Sequence, residues 1–88
     1  MPTALSGTLT MQSVPDQLKL ADRLIGDGVV DLSGITQADS AGVAFLLELS
    51  RRAAAQGRKL RFIGAPLQLL ELSRFFELEE ALDLKGTA

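Results

Sequence analysis

The sequence predicts an α/β fold, a mostly parallel sheet with helices packed mainly on one face. Three observations predict it. Short β-branched or aliphatic runs alternate with amphipathic stretches in the order strand, helix, strand, helix, strand, helix, and strands separated by helical segments are joined by crossovers, not hairpins. Punctuation falls between these segments, at Ser6-Gly7, Gly26-Asp27-Gly28, Ser33-Gly34, Gly57 and Gly64-Ala65-Pro66. The 88 residues are 47% hydrophobic, with 17 Leu and 11 Ala, which suits one domain over residues 1–88 with a dense aliphatic core. Right-handed crossovers keep consecutive helices on one face unless the strand order reverses.

Thr3 to Ser6 and Thr8 to Gln12 read as extended, with Leu9 and Met11 on one face and Thr8, Thr10 and Gln12 on the other. Val14 to Ile25 reads as a helix. Leu18, Ala21, Leu24 and Ile25 recur at helical spacing, Ser13 suits the N-cap, Pro15 and Asp16 suit the first turn, and Gly26 or Gly28 ends it. Val29 to Ser33 is a β-branched strand whose buried line Ile35 continues. Ala41 to Gln56 is the strongest helix. Its buried face is assigned to Val43, Leu46, Leu47, Ala53 and Ala54, with Glu48, Arg51, Arg52 and Gln56 elsewhere and Gly57 just past its end. Leu60 to Ile63 is a further strand. Pro66 opens a last helix through Phe76, with Leu69, Leu72 and Phe76 facing inward, and Leu82-Asp83-Leu84 forms a short edge strand or a helical turn.

Four absences narrow the chemistry: the chain has no Cys, His, Trp or Tyr. Without Cys there is no disulfide, thiolate nucleophile or zinc ribbon. Without His there is no Ser-His pair and no imidazole ligand. No enzyme activity, metal or cofactor is therefore expected. Nine basic against eleven acidic residues give a net charge of −2 and a pI near 4.9, which argues against nucleic acid as the main partner. The longest apolar run, Val43 to Leu47, is five residues, where a bilayer span needs about 20. Met1 to Ser6 lacks the basic start and apolar stretch of a secretion signal, so a cytoplasmic location is expected.

The segment from Leu32 to Val43 carries most of the functional information. A strand ends, a polar loop follows, and a helix starts at Asp39-Ser40. Loops at the carboxyl ends of strands are where α/β sheets bind ligands and partners, and a helix start offers unpaired N–H groups. Capping alone accounts for an Asp or Ser at this position and contributes about 1 kcal/mol. Gly42, in the first turn, costs roughly 1 kcal/mol relative to Ala, so it marks either close packing of helix on sheet or close approach by another chain. No Gly-rich loop followed by Lys provides a nucleotide-binding loop. Asp27, Asp31 and Asp39 suggest the acidic cluster of a phosphoacceptor receiver domain, but that chemistry needs a Lys late in a strand and Lys59 begins one. Arg51, Arg52, Arg58, Lys59 and Arg61 hold five of the nine basic residues and read as a solvated helix end.

Leu5-Ser6-Gly7-Thr8-Leu9, Val30-Asp31-Leu32-Ser33-Gly34-Ile35 and Asp39-Ser40-Ala41-Gly42-Val43-Ala44-Phe45-Leu46-Leu47 together resemble a STAS domain, the fold of the anti-sigma-factor antagonists. Gly57-Arg58-Lys59-Leu60-Arg61-Phe62 and the Leu-rich last helix extend the resemblance over nearly the whole chain. Within that family the chain is most similar to the small stand-alone MlaB type, an accessory to the ATPase of the Mla phospholipid ABC transporter of Gram-negative bacteria. The resemblance implies a small mixed β-sheet with helices mainly on one face. It also implies a non-enzymatic subunit that binds and supports that ATPase, serves outer-membrane lipid asymmetry, and sits at the inner membrane through its complex. The ATPase contact falls on Ser40, the hydroxyl after the Asp, and with it on Gln37, Asp39, Ala41 and Gly42.

The alternative is an anti-sigma-factor antagonist in a phosphorylation-controlled partner switch. The kinase target of those proteins precedes the Gly, where this chain has Ala41, so the hydroxyl open to phosphorylation is the neighbouring Ser40. The family also usually has a strand before the Leu-x-Gly-x-Leu segment, and this chain begins almost at that segment. That predicts a sheet one strand short, with an open edge along Thr3 to Ser6 or Thr8 to Gln12 and a two-fold homodimer through it.

Overall fold

The computed structural model describes residues 3–78, 81, 82 and 84–86. Its strands are β1 (Thr3–Leu9), β2 (Val29–Ala38), β3 (Arg61–Ala65) and β4 (Leu84–Gly86). They lie side by side in chain order, and every pairing is parallel. Between them run α1 (Val14–Gln17), a 3-10 turn (Leu18–Leu20), α2 (Ala21–Asp27), α3 (Ser40–Ala55) and α4 (Leu67–Phe75). Strands in chain order with right-handed crossovers put every helix on one face, and α3 packs between α2 and α4. This is the α/β arrangement the sequence implies, with the described strands all parallel where the resemblance implies a mixed sheet. At the C-terminal end Leu82 lies in a turn, its N–H donating to the Leu78 carbonyl at 3.0 Å, and the strand starts at Leu84, while Asp83 lies outside the described residues. No helix among the described residues is long and apolar enough to cross a membrane.

β2 is ten residues long and takes up the polar stretch from Ser33 to Gln37 that reads as a loop in the sequence. The cause is register. Ala4 faces Asp31 but Ser6 faces Gly34, and Gly7 faces Ile35 but Thr8 faces Gln37. β2 therefore carries an extra residue at each of two bulges. Its buried residues Val30, Leu32, Ile35 and Ala38 step by two and then by three, so a period-two reading loses the strand after Leu32. Ser33, Thr36 and Gln37 are exposed, and the Thr36 hydroxyl donates across the ladder to the Gly7 carbonyl at 3.0 Å.

β1 runs through Gly7 and stops at Leu9; Thr10 to Ser13 forms a bend and turn in place of the expected extended stretch. Ser13 makes that turn. Its hydroxyl donates to the Thr8 carbonyl at 2.8 Å and accepts from the Thr10 N–H at 2.9 Å. The side chain is thus committed upstream and does not cap α1, contrary to expectation. The helix expected over 14–25 is likewise interrupted by the 3-10 turn, with Ala21, Leu24 and Ile25 buried and Leu18 only half-buried. Among the described residues β1 has a partner on one side only. With the Thr8 carbonyl held by Ser13, the open part of that edge is Thr3 to Gly7.

α3 closes on a Schellman turn. The Gly57 N–H, at φ 71°, donates to the Ala54 carbonyl and the Arg58 N–H to the Ala53 carbonyl, both at 2.9 Å. Its buried residues are Gly42, Val43, Phe45, Leu46, Leu49 and Ala53. Leu47 and Ala54, expected inside, are exposed, because the apolar stripe of α3 is wider than the arc that meets the sheet. α4 buries Leu69 and Ser73, leaves Leu72 half-buried, and ends before Phe76, which is 49% exposed instead of facing the core. The same turn geometry closes it, but with Glu77 in the left-handed position at φ 58°. The Glu77 N–H donates to the Arg74 carbonyl at 3.0 Å and the Leu78 N–H to the Ser73 carbonyl at 2.8 Å. A non-glycine residue there costs on the order of 1 kcal/mol.

Candidate docking site

The end of β2 passes into α3 through Asp39. Its backbone N–H donates to the Leu9 carbonyl at 3.1 Å. One carboxylate oxygen, Oδ1, accepts from the Ala41 N–H at 2.8 Å and caps the helix. The other, Oδ2, accepts from the Met11 N–H at 3.1 Å. One side chain thus ties the start of α3 to the turn after β1. The Gly42 N–H is taken by the Asp39 carbonyl at 2.9 Å. Two first-turn donors are therefore already occupied, which removes most of what makes a helix start attract anions.

Gly42 faces inward. A Cβ there would lie 2.6 Å from the Leu9 carbonyl oxygen and 2.9 Å from the Leu9 Cβ. Close packing of α3 on β1 explains this glycine, and approach by a second chain does not. α4 is fixed to the same strand end by Gln68, whose Oε1 accepts from the Ala38 N–H at 3.1 Å.

These anchors leave Ser40 exposed at the first position of α3, on a crest between two grooves. One groove, of about 560 Å³, is lined by Ala38, Asp39 and Ser40 on one side and Gln68, Glu71, Leu72 and Phe75 on the other. The second, of about 180 Å³, lies between Ser40, Val43, Ala44 and Leu47 of α3 and Phe76 and Leu78 beyond α4. Leu47 is 42% and Phe75 72% exposed. The Phe75 and Phe76 rings meet edge to face, with centroids 5.2 Å apart and planes at 77°. Large apolar side chains gathered at one place on a surface mark an interaction site.

Of the residues the sequence singles out, Asp39 and Ser40 line these grooves. Ala41 is half-buried with its amide held by Asp39, Gly42 is inside, and Gln37 is exposed on β2 but lines neither groove. Sequence reasoning missed Leu47, Gln68, Glu71, Phe75 and Phe76. The surplus width of the α3 stripe and the adjacent phenylalanines at a helix end were available signals; nothing in the spacing marks Gln68. Asp27, Asp31 and Asp39 do not converge. Asp27 and Asp39 flank opposite ends of β2, and Asp31 is occupied by Ser33. The Ser33 N–H donates to Asp31 Oδ1 at 2.9 Å and, with the Ser33 hydroxyl as a second donor, holds that carboxyl below its ordinary range.

The fold is that of a small α/β domain, and its exposed apolar surface is a candidate for contact with another protein. The family model described as Mlab, STAS domain matches residues 3–85, and the chain belongs to that family. STAS domains are accessory or regulatory modules, generally without enzymatic activity, that act through protein–protein interactions. A search of curated proteins finds no match.

Proposed function

We propose that the chain is a non-enzymatic accessory subunit that binds and supports the cytoplasmic ATPase of an Mla-type phospholipid ABC transporter, in the service of outer-membrane lipid asymmetry. Its place at the inner membrane then comes from the complex. The observation that carries this reading is the exposure of Ser40 on a crest between two grooves, at the position where the sequence resemblance puts the ATPase contact. Asp39 and Gln68 hold the two sides of that surface to the same strand end, so a partner meets a preformed shape. The open Thr3–Gly7 edge of β1 is proposed to pair with a second copy of the chain.

The test is a pull-down of the transporter ATPase with purified Ser40 variants. Ser40→Glu adds a third negative charge beside Asp39 and Glu71 and is expected to lower capture strongly. Ser40→Ala is expected to lower it less, and both variants should keep the wild-type circular dichroism spectrum. Undiminished capture by folded Ser40→Glu would place the ATPase contact elsewhere. The exposed Ser40 hydroxyl also favours a second reading, an anti-sigma-factor antagonist switched by phosphorylation. Intact-mass measurement on protein from its own cells separates the two, since a stoichiometric phosphate on Ser40 reverses their order. Ala41, at the usual acceptor position, is half-buried and has no hydroxyl.

A further inference from the structure

We infer that the occupant of the paired grooves is a protein segment with an apolar stripe and a Lys or Arg placed to meet Glu71 and Asp39. This deepens the docking reading above and rests on it. The apolar requirement comes from Leu47, Leu72, Phe75 and Phe76, which line the two grooves on either side of Ser40. Exposed aromatic side chains on a helix end supply the kind of anchor that dominates binding energy at interfaces.

The charge requirement comes from the rest of the lining. Among the described residues, the charged ones lining the grooves are Asp39 and Glu71, both acidic, and no Lys or Arg lines either groove. A helix start ordinarily attracts anions, but here the Ala41 and Gly42 N–H groups are bonded to Asp39 itself. An acidic segment or a lipid phosphate approaching Ser40 therefore faces two carboxylates, with the Ala41 and Gly42 N–H groups already taken. A cation gains from both carboxylates, and like-charge juxtaposition at an interface is costly enough to exclude wrong partners. A groove between two helices suits an inserted helix or extended segment better than a flat membrane surface.

The test is site-specific crosslinking with the full chain in its own cells. Phe75→p-benzoylphenylalanine keeps an aromatic ring at the groove; after irradiation the attached segment is sequenced by mass spectrometry. The captured segment is expected to carry a Lys or Arg within about one helical turn of the attachment point. Adding Glu71→Lys is expected to lower the yield about tenfold and Glu71→Gln by less. Asp22→Lys, the same charge change at an exposed position on α2, is expected to leave it unchanged. Glu71 is exposed, and an unchanged melting temperature confirms that the variant folds. A yield indifferent to Glu71→Lys, a captured segment without a basic residue, or no crosslink at all overturns the inference. The identity of the captured protein is a separate readout. An ABC ATPase upholds the proposed function, whereas a basic, apolar segment from another class of protein overturns that function and upholds the cationic occupant.

Discussion

At Gly42 a single hydrogen lets α3 lie on β1, since any Cβ would press on the Leu9 carbonyl. Overpacking of this kind costs about 1–3 kcal/mol, offset by the roughly 1 kcal/mol that Ala gains over Gly in a helix. Gly42→Ala is therefore expected to destabilise the fold by up to about 2 kcal/mol, read from urea unfolding. An unchanged or raised midpoint would show that the Leu9 backbone gives way freely. Gly42 and Asp39 both stood out in the sequence, one as a glycine in a first turn and the other as a cap. Their reasons did not, because Leu9 and Met11, which explain them, are far away in the chain and near only once β1 and β2 pair.

α3 owes part of its stability to a fork of charges on its outer face. The Glu48 carboxylate accepts from Arg51 Nε and Nη2 at 2.8 Å each and from Arg52 Nε at 2.7 Å. The Arg51 hydrogen bonds, and then that of Arg52, pull the Glu48 carboxyl from 4.5 down to about 2. The folded value lies below the unfolded one, so the contribution is fully present above about 4.5 and is lost as pH falls to about 2. The melting temperature of Glu48→Gln is expected to lie slightly below wild type at neutral pH, with the gap closing towards pH 2. A gap that stays constant over that range would remove the ion pairs from the account. Element types and order were legible in the sequence, because each has its own period and punctuation. The extent of β2 was not, since two bulges change its period, and neither was the split of the α3 stripe into a buried arc and an exposed flank. The sheet and α2 and α4 decide how much of that stripe is covered, and Leu47, on the uncovered part, became a wall of the site.

For the whole molecule, strand order decides which surfaces remain for other chains. β1 and β4 are the edges, and the Thr3–Gly7 part of β1 carries small exposed residues, Ala4 and Ser6, with no charge to deter pairing. Light scattering over a concentration series is expected to show a dimer that Ala4→Lys returns to monomer. A monomer at every concentration would leave that edge to solvent. The parallel order also sets when each part of the molecule can exist. Every ladder joins residues roughly twenty to thirty positions apart, so no strand finds its neighbour locally, and loop-closure entropy must be overcome before pairing rewards it. During synthesis, β1 and β2 can meet once Ala38 has left the ribosome. Gln68, which holds the Ala38 amide and fixes the far wall of the larger groove, follows 30 residues later. A nascent chain therefore presents Ser40 before it presents a groove, and a partner that needs both walls engages only finished copies.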